Sequence, residues 1–252
     1  MQFLSEQRLD GVLERHFTHD EIPGILWTPP SGPAPLILLG HPGGLEPMHE
    51  RLLGRALQAA AHDFASLTIE LPGAGVRPRI PELEQARADL RSALAERHAV
   101  DDAIIDALVL TLVDRAAPEW RSALDAALEL PEIAGPVGIS GGVIALAVRL
   151  AVTDPRIAAA LLFAGSFIPR ATFVEARQLH IPVHVLLQWD DAGNDRQRSL
   201  DLFDAFATEQ KTLHANLGGH TGVPAFESDG AVAFLVRHLT PRSVGMVLAD
   251  ER

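Results

Sequence analysis

The sequence predicts an α/β fold: a mostly parallel sheet of eight strands with helices on both faces. Two observations carry this. Short apolar segments alternate with helical patterns along most of the chain. Several of those segments also lack the in–out alternation of a half-exposed strand, as strands buried on both faces should.

The elements follow in order. Gly11–Thr18 and Ile22–Thr28 read as an opening antiparallel pair, with Asp20–Glu21 at the turn. The proline-rich PPSGPAP, Pro29–Pro35, is a loop. Strands are then expected at Leu36–Gly40, Ala65–Glu70, Pro136–Ile139, Ala159–Gly165, Val183–Gln188 and Lys211–Asn216. Helical patterns cover Pro47–His62, Pro118–Leu130, Val143–Val152, Gln197–Ala207 and Ser228–Leu239. Right-handed crossovers would place the carboxyl ends of the parallel strands along one edge, where ligands bind. No repeat interrupts the pattern, so residues 1–252 read as one domain.

One stretch exceeds what the alternation needs. Residues Arg77–Ala117 read as an insertion of two helices, Pro81–His98 and Asp101–Ala116. In the second, Ile104, Ile105, Leu108, Val109, Leu112 and Val113 form an apolar stripe at helical spacing, and Asp101 or Asp102 can cap its start. The stripe is either added core cover or a helical lid lining a substrate pocket.

Composition narrows the function classes. With 33 acidic against 21 basic residues the net charge is −12, which repels phosphate backbones and argues against nucleic acid as a partner. No apolar run approaches the roughly 20 residues of a membrane helix. The start of the chain carries charges where an export signal has its apolar core. Cysteine is absent, which excludes disulfides and a cysteine nucleophile and fits a cytoplasmic protein. His180 and His184 lie in HIPVH, which reads as a strand entry and not as a helix that could aim both rings at one ion. No metal or organic cofactor is expected.

The chemistry concentrates in loops that follow strands. Gly138-Ile139-Ser140-Gly141-Gly142 is a G-x-S-x-G sequence between a strand and a helix, the setting of a nucleophile elbow. Ser140 is expected in a strained backbone conformation, its hydroxyl projecting above the sheet edge at the positive end of the following helix. Gly138 and Gly142 remove Cβ atoms that would collide with neighbouring elements. An acyl-transfer site also needs two oxyanion donors. One is the Gly141 N–H. The other should come from His41-Pro42-Gly43-Gly44, where Pro42 has no N–H and Gly43 is the better candidate, ahead of Gly44.

Acid and histidine should follow the serine in that order. His220 ends the post-strand loop HANLGGH. Asp190, Asp191 and Asp195 all follow the strand VHVLLQ. Asp195 is better placed as a helix N-terminal residue, and of the adjacent Asp190 and Asp191 only one can reach His220.

This ordered set resembles the α/β-hydrolase superfamily. It comprises the Ser140 elbow, the HPGG loop, the ELPGAG turn (Glu70–Gly75), the post-strand acid and the GGH sequence before the last helix. Within the superfamily the chain most resembles the dienelactone hydrolase-like serine hydrolases, with only Phe167–Ile181 between the sixth and seventh strands. It departs from dienelactone hydrolases proper in having no cysteine, and from HGGG-type loops in carrying Pro42. The resemblance implies Asp191 as the acid, because the short turn Ala192–Asp195 follows it. It also implies a serine esterase acting on a small to medium carboxylic ester through an acyl-enzyme, with no cofactor. Thioester, amide or C–C cleavage, acyl transfer in biosynthesis, and a non-catalytic ligand-binding role are the alternatives.

Overall fold

The computed structural model describes residues 1–96 and 100–240. Two tight turns open its sheet. Asp10 and Gly11 have positive φ, 48° and 86°, the pair of left-handed residues that a two-residue hairpin requires. They join strand β1 (Gln2–Leu9) to β2 (Val12–His19). Asp20 and Glu21, at 49° and 64°, join β2 to β3 (Ile22–Thr28) in the same way, at the expected turn.

After β3 come β4 (Ala34–Gly40), α1 (Leu45–Ala60), β5 (Ala65–Ile69), α2 (Pro81–Ala95), α3 (Asp102–Leu128) and β6 (Ile133–Gly141). The chain continues through α4 (Ile144–Thr153), β7 (Ile157–Phe163), α5 (Arg170–Ala176) and β8 (Val183–Gln188). It finishes with α6 (Arg196–Ala205), β9 (Lys211–Asn216) and α7 (Phe226–Leu239). The nine strands form one sheet in the order β1-β2-β3-β5-β4-β6-β7-β8-β9. β1 through β3 and the β3–β5 pairing are antiparallel, and every pairing from β5 to β9 is parallel.

The strand count corrects the sequence expectation of eight. β1 was not expected because nearly all its side chains are exposed, so no buried face marks it in the sequence. Backbone pairing with β2 holds it at the sheet edge.

Side chains alternate between two cores. On β4, Leu36 and Leu38 face a core shared with α3, α4 and α6, whereas Ile37 and Leu39 face one shared with α1 and α7. Burying each such side chain contributes about 1.5–3 kcal/mol. Both faces of the sheet are therefore anchored.

The helices bring two further differences. The separate helices expected at Asp101–Ala116 and Pro118–Leu130 are one 27-residue helix, α3. Pro118 removes one backbone donor, but its side of the helix is exposed, and buried Ala116, Ala117, Trp120 and Leu124 hold the helix to the core through that point. The Asp101 carboxylate caps its start, accepting from the Ala103 N–H at 2.9 Å. The preceding helix ends at Ala95 among the described residues, and the expected end at His98 lies outside them. The seven-residue α5 occupies the 167–181 connection, too short for a periodic pattern to reveal. No helix among the described residues is long and apolar enough to cross a membrane.

Candidate active site

The parallel strands end at one edge, and their loops carry Pro42 after β4, Gly142 after β6, Ser166 after β7, Asp191 after β8 and His220 after β9. β4 lies between β5 and β6, and the helices that follow β4 and β6 pack on opposite faces. That reversal opens a crevice at the carboxyl ends of the strands.

At β6 the backbone turns later than the sequence suggested. Ser140 remains in the ladder, paired with Leu39 of β4 and Leu161 of β7. Positive φ falls instead on Gly141 and Gly142, at 71° and 80°. The strain expected at Ser140 is thus carried by two glycines, where the missing Cβ makes it cheap. Gly142 also permits a close approach: a Cβ there would lie 2.7 Å from Gly40 Cα. At Gly138 a Cβ would meet Leu239 of α7 at 2.6 Å.

Because Ser140 stays in the strand, its side chain is buried, at 4% exposure, and does not stand out above the sheet edge. It borders a cavity of about 290 Å³ between α1 and α7, whose wall includes Arg55, Gly141, Leu161 and His220. Arg55 Nη2 donates to the Ser140 hydroxyl at 2.8 Å and to the Ser140 carbonyl at 2.6 Å, and Nη1 donates to the Gly40 carbonyl at 3.0 Å. Burial, reinforced by nearby Arg51, pushes the Arg55 guanidinium down to about 10. No hydrogen bond joins Ser140 to His220 among the described residues. Arg55 was not singled out in the sequence, because one arginine on a helix carries no motif.

The loops after β8 and β9 meet across a short gap. Of the three aspartates, Asp191 reaches His220: its Oδ2 lies 2.7 Å from Nδ1. Asp191 is buried at 9% exposure, and its Oδ1 accepts from the Gly193 N–H at 3.0 Å, while Asn194 bonds the same carboxylate. Burial alone would raise the Asp191 carboxyl, but the bonds from His220, Gly193 and Asn194 outweigh it and hold the group below the ordinary carboxylate range. His220 keeps half its side chain exposed, and its ring meets Phe163 edge to face at 5.8 Å.

Asp190 has a different task. Its carboxylate accepts from the Gly218 and Gly219 N–H groups, each at 2.9 Å, and these bonds lower its pKa. Gln188 Nε2 donates to the Gly219 carbonyl at 2.8 Å. The approach to His220 is therefore pinned from β8 at two points. Asp195 caps α6, accepting from the Arg198 N–H at 3.2 Å, as its position before a helical pattern suggested.

The loop after β4 is held from below. His41 is 2% exposed and its Nε2 bonds the Ile69 carbonyl at 2.9 Å, a structural position. Burial pushes its pKa down, partly offset by that bond. Glu70, in the turn after β5, accepts from the Leu45 N–H at 3.0 Å and so caps α1, whose N-cap Gly44 has no side chain to do so. Gly141 and Pro42 line the Ser140 cavity, whereas half-buried Gly43 lies outside that lining.

A second cleft, of about 550 Å³, is also bordered by His220. Its wall includes Asp191, Pro42 and, from α3, Leu108, Val109 and Leu112. The apolar stripe of α3 thus divides. Ile105 and Val113 are buried in the core, half-buried Leu108 and Leu112 face the cleft, and buried Val109 borders both.

No protein-family model and no curated protein matches the sequence. Solved structures do. A cold-adapted esterase from an Arctic intertidal metagenomic library matches 95% of this chain and all of its own, at 27% identity and a TM-score of 0.72. An acetyl xylan esterase from Paenibacillus sp. R4 matches over 94% of this chain and 88% of its own, at 17% identity and a TM-score of 0.63. A CIB-like hydrolase from Thermoplasma acidophilum matches over 90% and 98%, at 11% identity and a TM-score of 0.63. With its sheet order, crevice and strand-end loops, the chain has the α/β-hydrolase fold and is related to that superfamily.

Proposed function

We propose that the protein hydrolyses a small to medium carboxylic ester through an acyl-enzyme formed on Ser140. The observation that carries this reading is the 2.7 Å contact between Asp191 and His220, the latter bordering the cavity that Ser140 and Gly141 also line. The esterase likeness at 27% identity supports the same reaction class.

In this reading His220 Nε2 takes the Ser140 proton as Oγ attacks the ester carbonyl, then returns it to the leaving alkoxide. Asp191, kept ionised by its three hydrogen bonds, fixes the ring with its proton on Nδ1 and stabilises the imidazolium. The Gly141 N–H, and the Gly43 N–H in the loop whose Pro42 lines the cavity, are the proposed donors to the tetrahedral oxyanion. Water, activated by His220, then releases the acid.

One movement is required. Oγ rests on Arg55, so attack needs Oγ to exchange the guanidinium for His220 Nε2. Catalytic hydrogen bonds commonly tighten only with substrate in place. The acyl or alcohol portion has two places to lie, the apolar cavity between α1 and α7 and the cleft under Leu108 and Leu112.

The test is turnover of a series of chromogenic esters by the native chain and by Ser140→Ala. The proposal requires hydrolysis by the first and, in the second, a loss of kcat of at least about a thousandfold. Equal turnover by both would reject Ser140.

A further inference from the structure

Three titratable side chains from three elements converge beside β9, the last strand of the sheet. They are His184 on β8, His214 on β9 and Glu227 in the first turn of α7. One ring nitrogen of each histidine and one carboxylate oxygen of Glu227 all lie within 4.8 Å of one another. His214 Nδ1 and Glu227 Oε2 are 2.9 Å apart, so one proton lies between them. The two imidazoles meet edge to face with their centroids 4.4 Å apart.

His184 supplies an independent observation. It is 3% exposed, its Nδ1 meets Thr212 Oγ1 at 2.6 Å, and its Nε2 is buried with no hydrogen-bond partner. A buried ring nitrogen without a partner is an unfavourable arrangement that a bound cation would relieve.

We propose that His184, His214 and Glu227 form a binding site for a divalent metal ion of the zinc class. Two imidazoles and one carboxylate are a donor set suited to zinc, with the fourth position left to water. In a tetrahedral site, donors at about 2.0–2.2 Å from the ion lie about 3.3–3.6 Å apart, so binding would draw the most separated donors together by up to about 1.5 Å. Binding displaces the proton between His214 and Glu227, which leaves to solvent.

The position gives the site a consequence. His214 precedes the 217–225 loop and Glu227 follows it, and that loop carries His220. An ion shared by both residues would tie the two ends of the loop together without touching the reacting atoms. Glu227 also contributes to the wall of the Ser140 cavity. The cluster of Glu14, His16 and His49 makes no comparable case. The Glu14 oxygens already accept from Gln7 and Trp27 as well as from both histidines, so the network is closed.

Metal binding is read on the protein itself and is independent of ester hydrolysis. Full-length protein, stripped with a chelator, is titrated with Zn²⁺ by calorimetry, alongside His214→Ala, Glu227→Gln and the control His49→Ala. His214 is exposed, so its alanine variant should fold. The expected result is one site per chain in the native protein and in His49→Ala, weakened at least about tenfold in the other two variants. Co²⁺ should give the visible bands of a tetrahedral nitrogen–oxygen site, and these should vanish in His214→Ala. Absence of binding, equal affinity in all four proteins, or loss of the site in His49→Ala would overturn the proposal.

Discussion

Arg55 of α1 grips Ser140 twice, donating from Nη2 to its hydroxyl at 2.8 Å and to its carbonyl at 2.6 Å. Through Nη1 it also holds the Gly40 carbonyl, so one guanidinium joins the ends of β4 and β6 where the two chains turn away from the sheet. No carboxylate among the described residues pairs with it. Replacing Arg55 with methionine keeps much of the volume and leaves those two carbonyls without their donor. The Arg55→Met variant should lose about 1–3 kcal/mol of stability. A lowered urea midpoint with an unchanged slope is the expected measurement, and an unmoved midpoint would show that the grip is dispensable.

The two adjacent aspartates should separate cleanly in kinetics. Asp191 faces the His220 ring, whereas Asp190 holds the Gly218 and Gly219 amides that position the loop. An amide in place of the orienting acid favours the wrong tautomer and can cost about 10⁴-fold in kcat. Asp191→Asn should show a loss of that order. Asp190→Asn removes positioning bonds at an exposed loop and should cost far less. The opposite ranking, measured on one ester, would move the acid to Asp190.

The divided stripe of α3 gives a contrast between neighbours on one helix. Leu108 faces the cleft beside His220, and Val113 lies in the core at 1% exposure. Leu108→Ala should shift the preferred acyl-chain length with a small change in stability. Val113→Ala should cost about 1–3 kcal/mol and leave the chain-length profile alone. Profiles over a set of esters, together with denaturation midpoints, decide between pocket wall and core cover at each position.

Asp154 provides a test of the electrostatics away from the site. It is 1% exposed and accepts from Arg156 Nε at 2.8 Å and Nη2 at 2.6 Å. These bonds hold its carboxyl below the ordinary value. A carboxyl lowered on folding stabilises the fold fully above its unfolded pKa of about 3.9, and that contribution disappears as pH falls through the folded value. Asp154→Asn should therefore be less stable than the native chain at pH 7, with the gap closing below about pH 4. A gap independent of pH would show that the pair contributes by packing and not by charge.

Much of the fold could be read from the sequence because strand burial and turn chemistry are local. Leu36–Gly40 is apolar throughout, Val183–Gln188 is apolar at four of its six positions, and Asp20–Glu21 separates two strand patterns. β1 escaped because its side chains are exposed, although Asp10-Gly11 was a hairpin signal in plain view. Pro118 suggested a helix boundary where tertiary packing carries the helix through. At the candidate site, the strand-end glycines and the nearness of a post-β8 aspartate to His220 were legible. The reach of Arg55 to Ser140 and the grip of Asp190 on Gly218 and Gly219 were not, because each depends on contacts between residues distant in the chain, and Asp191 was assigned over Asp190 only through the family resemblance. The His184–His214 contact has the same origin: His214 comes from the neighbouring strand, so no spacing could announce it.

The proposed nucleophile is the Ser140 hydroxyl. Incubating the native chain with a serine-reactive phosphonate, then measuring intact mass and mapping the adduct by peptide fragmentation, tests it most directly. One adduct per chain on Ser140 is expected, lost in Ser140→Ala and slowed in His220→Ala. An adduct on another residue such as Ser166, which borders the same cavity, would contradict the account, as would no adduct on a folded protein.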